Sequence, residues 1–311
     1  MGLTAARATW VSLGEGSTPL VPAPRLSEAL GLDLHLKCEG LNPTGSFKDR
    51  GMAVAVERAA DRGAHTVVCA STGNTAASAA TYAARAGLRA VVLTPEGATA
   101  SAKRAQAHAA GATVLEIRGT FDDALRLCRE LGEQDGFRLV NSVNPDRLDG
   151  QKSVVGELLE QLGEAPDVIA LPYGGGGNVS AVALGCAEAG IEPALVVGQA
   201  AERPTTFATA IRIGEPAHRE NVQALVDAGR VTVVTLSEDE LRAAWQRLAR
   251  EEGVFCEPAS AAGVAALATL GLHGTAVAIV TGHGLKDTGA VDASSARVVD
   301  ATLDAVLEAL R

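Results

Sequence analysis

Short apolar runs alternate along this chain with longer amphipathic stretches. His65–Ala70 (HTVVCA), Asp167–Leu171 (DVIAL) and Thr275–Val280 (TAVAIV) are nearly continuous apolar segments. Runs of that length fit strands buried on both faces, as in a parallel sheet. Leu32–Lys37, Arg89–Leu93, Thr113–Ile117, Phe137–Val140, Ala194–Gly198 and Val231–Leu236 read as further strands. Helical spacing appears between them. Arg25–Leu30 is a short helix, Ser46 opens a longer one closed by Gly63, and Ala76–Ala86 ends at Gly87. Ala100–Ala110 stops at Gly111, and Thr120–Leu131 places Phe121, Leu125 and Cys128 on one face. Arg147–Leu162 and Val179–Ala189 follow, and Ser237 with Glu240 forms a capping box for a helix to Arg250. Val254–Gly263 opens another helix, and Ala301–Leu310 is the last. The βαβα alternation predicts an α/β protein with a parallel sheet and helices on both faces.

At 311 residues the chain is long enough for one large core or two domains. A net charge of −10 with no basic run argues against a nucleic-acid partner. No stretch approaches the roughly 20 apolar residues of a membrane span. The opening Met1-Gly2-Leu3-Thr4-Ala5-Ala6-Arg7 lacks the apolar core of a secretion signal. Cys38, Cys69, Cys128, Cys186 and Cys256 are scattered and odd in number, and form no CxxC pair. They read as buried or semi-buried free thiols in a reducing cytoplasm, with no disulfide framework and no metal site.

Chemistry concentrates in a few polar loops. The lysines are only Lys37, Lys48, Lys103, Lys152 and Lys286. Lys48 follows the loop Asn42-Pro43-Thr44-Gly45 and falls in the first turn of the helix that Ser46 is expected to cap. The helix dipole disfavours a cation there, which suits an amine that must be neutral and nucleophilic. Taken alone, an exposed lysine whose head reaches water is the better reading. Ser71-Thr72-Gly73-Asn74-Thr75 joins a strand to a helix, at the sheet edge where ligands bind in open α/β folds; a helix cap without a ligand is the bland alternative. Gly174-Gly175-Gly176-Gly177-Asn178 exposes consecutive amides ahead of a helix, an anion-binding arrangement. No Gly-Lys-Ser/Thr follows, so it is not a Walker loop. Val179 stands where a dinucleotide loop needs its third glycine.

Glu39–Gly51 (EGLNPTGSFKDRG) resembles the cofactor-lysine motif of pyridoxal-phosphate (PLP) enzymes of fold type II, within the tryptophan synthase beta-like group, and looks most like the threonine synthase family. Leu13–Val21, Asn141–Lys152, Thr206–Gly214 and Thr281–Asp287 resemble that family's segments, and Ser71–Thr75 and Glu257–Ala262 resemble segments general to fold type II, all in the same order from about Gly14 to Asp287. The resemblance implies two open twisted-sheet domains with helices on both faces. Residues 1–50 and 146–311 would form the large PLP-binding domain, and 51–145 a small mobile one. Lys48 would carry PLP as a Schiff base, with Phe47, Asn74, Gly174, Gly175, Gly176, Gly177, Asn178 and Thr281 around the cofactor. Thr281 would lie at the pyridine nitrogen. Ser71, Thr72, Asn74 and Thr75 would face the substrate carboxylate, and Asn141, Ser142 and Arg147 its phosphate. His283 is expected to be structural.

The activity implied is conversion of O-phosphohomoserine and water to threonine and phosphate by a cytoplasmic homodimer. A threonine or serine dehydratase is the alternative, with no use for Arg147. The chain departs from the family at Gly175, where many members have asparagine, and in a shorter stretch from Gln199 to Phe207.

Overall fold

The computed structural model describes residues 10–97, 101–291 and 296–311; Met1–Arg7 and Ala100, the expected start of one helix, lie outside them. In chain order the elements are β1 (Leu20–Pro22), α1 (Pro24–Leu30), β2 (Asp33–Cys38), α2 (Lys48–Asp61), β3 (Thr66–Ala70), α3 (Asn74–Ala86) and β4 (Arg89–Pro95). Then come α4 (Ser101–Ala109), β5 (Thr113–Ile117), α5 (Phe121–Gly132), β6 (Phe137–Leu139), α6 (Pro145–Gln151), α7 (Ser153–Leu162), β7 (Val168–Pro172) and α8 (Gly177–Ala189). The chain closes with β8 (Ala194–Ala200), α9 (Arg219–Asp227), β9 (Val231–Leu236), α10 (Glu238–Arg250), α11 (Ala262–Leu267), β10 (Thr275–Val280) and α12 (Leu303–Ala309).

The strands form two sheets. One has the order β5-β4-β3-β6 and is parallel throughout. The other has the order β1-β2-β10-β7-β8-β9, in which only β1 runs antiparallel to its neighbour. The apolar runs behave as expected of strands covered on both faces: every residue of β3 and β7 is buried.

Several helices begin or break elsewhere than the pattern predicts. The expected helix Arg147–Leu162 is two helices, α6 and α7, meeting at Lys152. Val254–Gly263 forms only a 3₁₀ turn at Pro258–Ala261 before α11. Phe121 is exposed, and α5 faces the core through Ala124 and Cys128. The capping box of Ser237 and Glu240 is present.

Helices α2 and α6 cross at close range. A side chain at Gly51 would collide with the Arg147 carbonyl, and one at Gly150 with the Arg50 carbonyl. Beside this crossing lies a buried ion network. Arg50 donates to both Glu39 carboxylate oxygens at 2.7 Å and to Glu157 at 2.6 and 2.7 Å. Fully buried Lys37 adds a 2.8 Å bond to Glu157, and Thr18 donates to Glu39 at 2.6 Å. The network ties β2, α2 and α7 together just behind the lysine loop.

Burial pushes the Glu157 carboxyl up, but hydrogen bonds and charge from Arg50 and Lys37 outweigh it and hold it down at about 2. A carboxylate depressed in the folded state stabilises fully above its unfolded pKa and loses that contribution as pH falls through the folded value. Glu157→Gln should therefore cost about 2–4 kcal/mol at pH 7, a little under the cost of breaking a fully buried pair, because Glu157 is partly exposed and Arg50 keeps Glu39. The deficit should shrink as pH falls from about 4.5 towards 2. Denaturant unfolding at pH 7 and pH 3 checks this; a deficit that stays constant contradicts it.

Candidate active site

Lys48 is the first residue of α2, reached through a short antiparallel pairing. Ser46 bridges Gly282, Phe47 N donates to Thr281 O at 3.0 Å, and His283 N donates to Gly45 O at 3.0 Å. Ser46 is therefore extended and does not cap α2. Its buried hydroxyl makes no hydrogen bond, and Phe47 takes the N-cap position without a side-chain bond. The turn is closed by buried Asp49 instead, which accepts from Thr44 N at 2.7 Å, Thr44 Oγ1 at 2.6 Å and Ser78 Oγ at 2.6 Å.

The Lys48 amine sits 4.2 Å from the centroid of the Phe47 ring, and no hydrogen bond reaches it among the described residues. Desolvation first, and the Arg147 charge second, lower it to about 7 against the pull of Glu257. The lowering comes from burial and a neighbouring charge, and it raises the neutral, nucleophilic fraction of the amine.

The other polar loops leave the carboxyl ends of β3, β7 and β10, the edge where open α/β sheets bind ligands. After β10, Thr281 Oγ1 lies 3.1 Å from Ser260 Oγ. After β3, Ser71 Oγ accepts from Gly73 N at 3.1 Å and Ala76 N at 3.2 Å, so it caps α3. Asn74 Nδ2 donates to Glu257 at 2.8 Å, while Asn74 Oδ1 has no partner. Thr72 and Thr75 are half-buried beside them.

After β7, Gly176 adopts φ +84°, a conformation that favours glycine, and serves as N-cap of α8. Asn178 Nδ2 and Ser180 Oγ in the first turn are buried without partners. His218 braces this loop. Its amide donates to Gly175 O at 3.0 Å, and its Nε2 donates to Ser142 O at 2.8 Å.

Arg147 is fully buried with no carboxylate partner among the described residues. It makes one side-chain bond, Nη1 to Val140 O at 2.8 Å, leaving Nε and Nη2 without acceptors. Desolvation lowers it to about 10. Asn141, expected on a substrate phosphate, instead pairs with the Ala70 backbone: its Oδ1 accepts and its Nδ2 donates, both at 2.8 Å. The pair continues the β3–β6 side of the sheet past Leu139, and both ends of the amide are engaged with backbone. Ser142 lies against the glycine loop, near Gly177. A cleft of about 530 Å³ lined by Leu20, His35 and Gln161 sits at the opposite end of β2 and β10 and shares none of these residues.

Residues 11–282 match the family model described as "Pyridoxal-phosphate dependent enzyme". The chain belongs to this family. It is 48% identical over 301 residues to the threonine synthase of Halalkalibacterium halodurans, covering 89% of this chain and 84% of that protein. It is 46% identical to that of Mycobacterium leprae, covering 97% and 91%. Among solved structures, maize serine racemase superposes with a TM-score of 0.77 at 23% identity, covering 89% of each chain. The processed form of threonine deaminase isoform 2 from Solanum lycopersicum gives 0.74 at 24% identity, covering 89% and 80%. The fold is that of fold type II PLP enzymes.

The residues present fit the cofactor. Lys48 offers an amine lowered to about 7 for a Schiff base. The glycine loop and the start of α8 offer backbone amides and the partnerless Asn178 and Ser180 for its phosphate. Thr281 offers a neutral hydroxyl. Three nearby residues escaped the sequence reading as site residues: Glu257, Lys103 and His218. Glu257 lies in the Glu257–Ala262 segment, which reads as a signature of the class and not as a site; the other two carry no local motif.

In PLP-free protein, acylation of Lys48 should rise to half its maximal rate near pH 7. A midpoint near the ordinary lysine value of about 10 contradicts the burial argument. Mass spectrometry of the acylated peptide over a pH series measures it.

Proposed function

We propose that the chain is a PLP-dependent carbon–oxygen lyase that converts O-phospho-L-homoserine and water to L-threonine and phosphate. The observation that carries the reading is Arg147, a guanidinium held out of water near Lys48 with two donors unmatched. A buried cation without a counter-ion favours taking up an anion, and the planar fork suits a phosphate. The relatives named threonine synthase, at 44–48% identity, support the same assignment. A dehydratase would need no such second anion site.

PLP, when bound, supplies an electron sink for charge that develops at a substrate carbon. The chain's own groups do the rest. Lys48 Nζ holds the cofactor, then takes and returns protons at the α and β carbons. An amine near neutrality serves both directions. Ser71, Thr72, Asn74 and Thr75 bind the substrate carboxylate. Arg147, with Ser142, holds the γ-phosphate while its bond to the γ carbon breaks, and a water oxygen then bonds to the β carbon. Phe47, Thr281 and the Gly174–Asn178 loop orient the cofactor. We read residues 51–145 as a small mobile domain whose approach to the large one, 1–50 and 146–311, keeps stray water away until it is needed. We further read the enzyme as a cytoplasmic homodimer. Among the described residues no helix is long and apolar enough to cross a membrane.

Phosphate release from O-phosphohomoserine, with serine and threonine as competing substrates, tests the assignment. Arg147→Ala should lower kcat/KM by about tenfold to several hundredfold, the loss of a bidentate charge-assisted pair. PLP should still bind to the variant. Arg147→Lys should recover only part of the loss, since an ammonium lacks the fork. Equal turnover by wild type and Arg147→Ala, or faster conversion of serine or threonine to keto acid, overturns the reading.

A further inference from the structure

Glu257 is the hub of a buried polar chain that crosses between the two sheets. Its residue is 1% exposed. Oε1 accepts from Asn74 Nδ2 at 2.8 Å, and Oε2 lies 3.2 Å from Lys103 Nζ. Lys103 in turn reaches Thr209 Oγ1 at 3.4 Å, and Thr209 donates to Asp287. Asn74 and Lys103 come from helices α3 and α4 on the four-stranded sheet. Glu257, Thr209 and Asp287 come from the six-stranded half.

The seat of the carboxylate is built into the lysine-loop pairing. Glu257 N donates to Gly282 O at 3.0 Å, and a side chain at Gly282 would collide with Glu257 Oε1. Among the described residues the bond to Glu257 is the only one made by the Asn74 side chain, whose Oδ1 is buried without a partner. An amide is nearly symmetric in shape, so its neighbours decide which end points where. A carboxylate only accepts, so only the amino end of Asn74 can face it.

We propose that Glu257 is a positioning residue: by accepting from Asn74 Nδ2 it fixes the orientation of that amide for the cofactor, and its pair with Lys103 holds α4 against the same point. The proposal rests on the reading of Asn74 as a cofactor-facing residue. Remove the acceptor-only partner and the amide is free to turn over, exchanging the places of Nδ2 and Oδ1.

The test uses the PLP-loaded enzyme and reads the absorbance spectrum and the retention of PLP on dilution, with melting temperature measured alongside. Glu257→Gln keeps the shape but can donate as well as accept. Glu257→Asp keeps the charge but draws the carboxylate back by one methylene, and serves if the first variant does not fold. Both should shift the cofactor absorbance in the direction that Asn74→Ala shifts it, and weaken PLP retention by about 10–100-fold, the worth of one hydrogen bond to a charged acceptor. Either change combined with Asn74→Ala should shift the spectrum no further than Asn74→Ala alone. The proposal is overturned if Asn74→Ala moves the spectrum while the Glu257 variants leave it unchanged, or if their shifts add. A spectrum unmoved by Asn74→Ala itself removes the reading of Asn74, and the proposal with it.

Discussion

One backbone pairing sets the geometry on which the site depends. The lysine loop runs antiparallel to the exit from β10, with Phe47 N bonded to Thr281 O and His283 N to Gly45 O. Two bonds and the Ser46–Gly282 bridge thus join the first helix of the site to the last strand of the large sheet. Lys48 enters α2 at this seam, Thr281 leaves β10 at it, and the absent side chain of Gly282 makes room there for Glu257. Because strand and loop share hydrogen bonds, the amine and the hydroxyl keep their spacing without relying on side-chain contacts. A site built on regular backbone is held more tightly than one built on free loops.

The interior treats its cations in opposite ways. Arg50 is buried and surrounded by carboxylates from Glu39 and Glu157, so its charge is strongly favoured. Burial lowers Lys48 to about 7, with the Arg147 charge adding to it, and burial lowers Arg147 to about 10. Desolvation is costly for any ion: two carboxylates outweigh it at Arg50, Glu157 alone does not at Lys37, and Lys48 and Arg147 have no hydrogen-bonded carboxylate among the described residues. Arg50 acts as structure. Lys48 and Arg147 are held in an unfavourable state of the kind that clusters at functional sites.

Much of the fold was readable because parallel strands buried on both faces leave a plain mark, as β3, β7 and β10 do. The division into two sheets was not legible in the alternation and was implied only by the family resemblance. Helix starts were less readable. Ser46 has the chemistry of a cap, but its backbone is committed to Gly282, a partner more than two hundred positions along the chain. Asn141 has the chemistry of a ligand, yet its amide completes a sheet edge at Ala70. In both cases a local preference loses to a tertiary contact that no local pattern announces. The same holds for Glu257, whose importance comes from Asn74 and Lys103, neither of them its neighbour in sequence. Lys48 and the glycine loop stood out in the sequence through a helix start and a run of backbone amides, but it was the family resemblance that gave each an expected role.

The five cysteines have a practical consequence. Each is buried and unpaired, and burial pushes every thiol upward, Cys38 and Cys186 to about 11, Cys69 and Cys128 to about 12 and Cys256 also higher. Thiolate is the reactive form, so the native protein offers maleimide reagents almost nothing to attack. A cysteine introduced on an exposed face of α5 and another on α10 would be the two fast-reacting sulfurs. The wild-type background is thus already suited to carrying a pair of fluorophores that report the distance between the two sheets while substrate turns over.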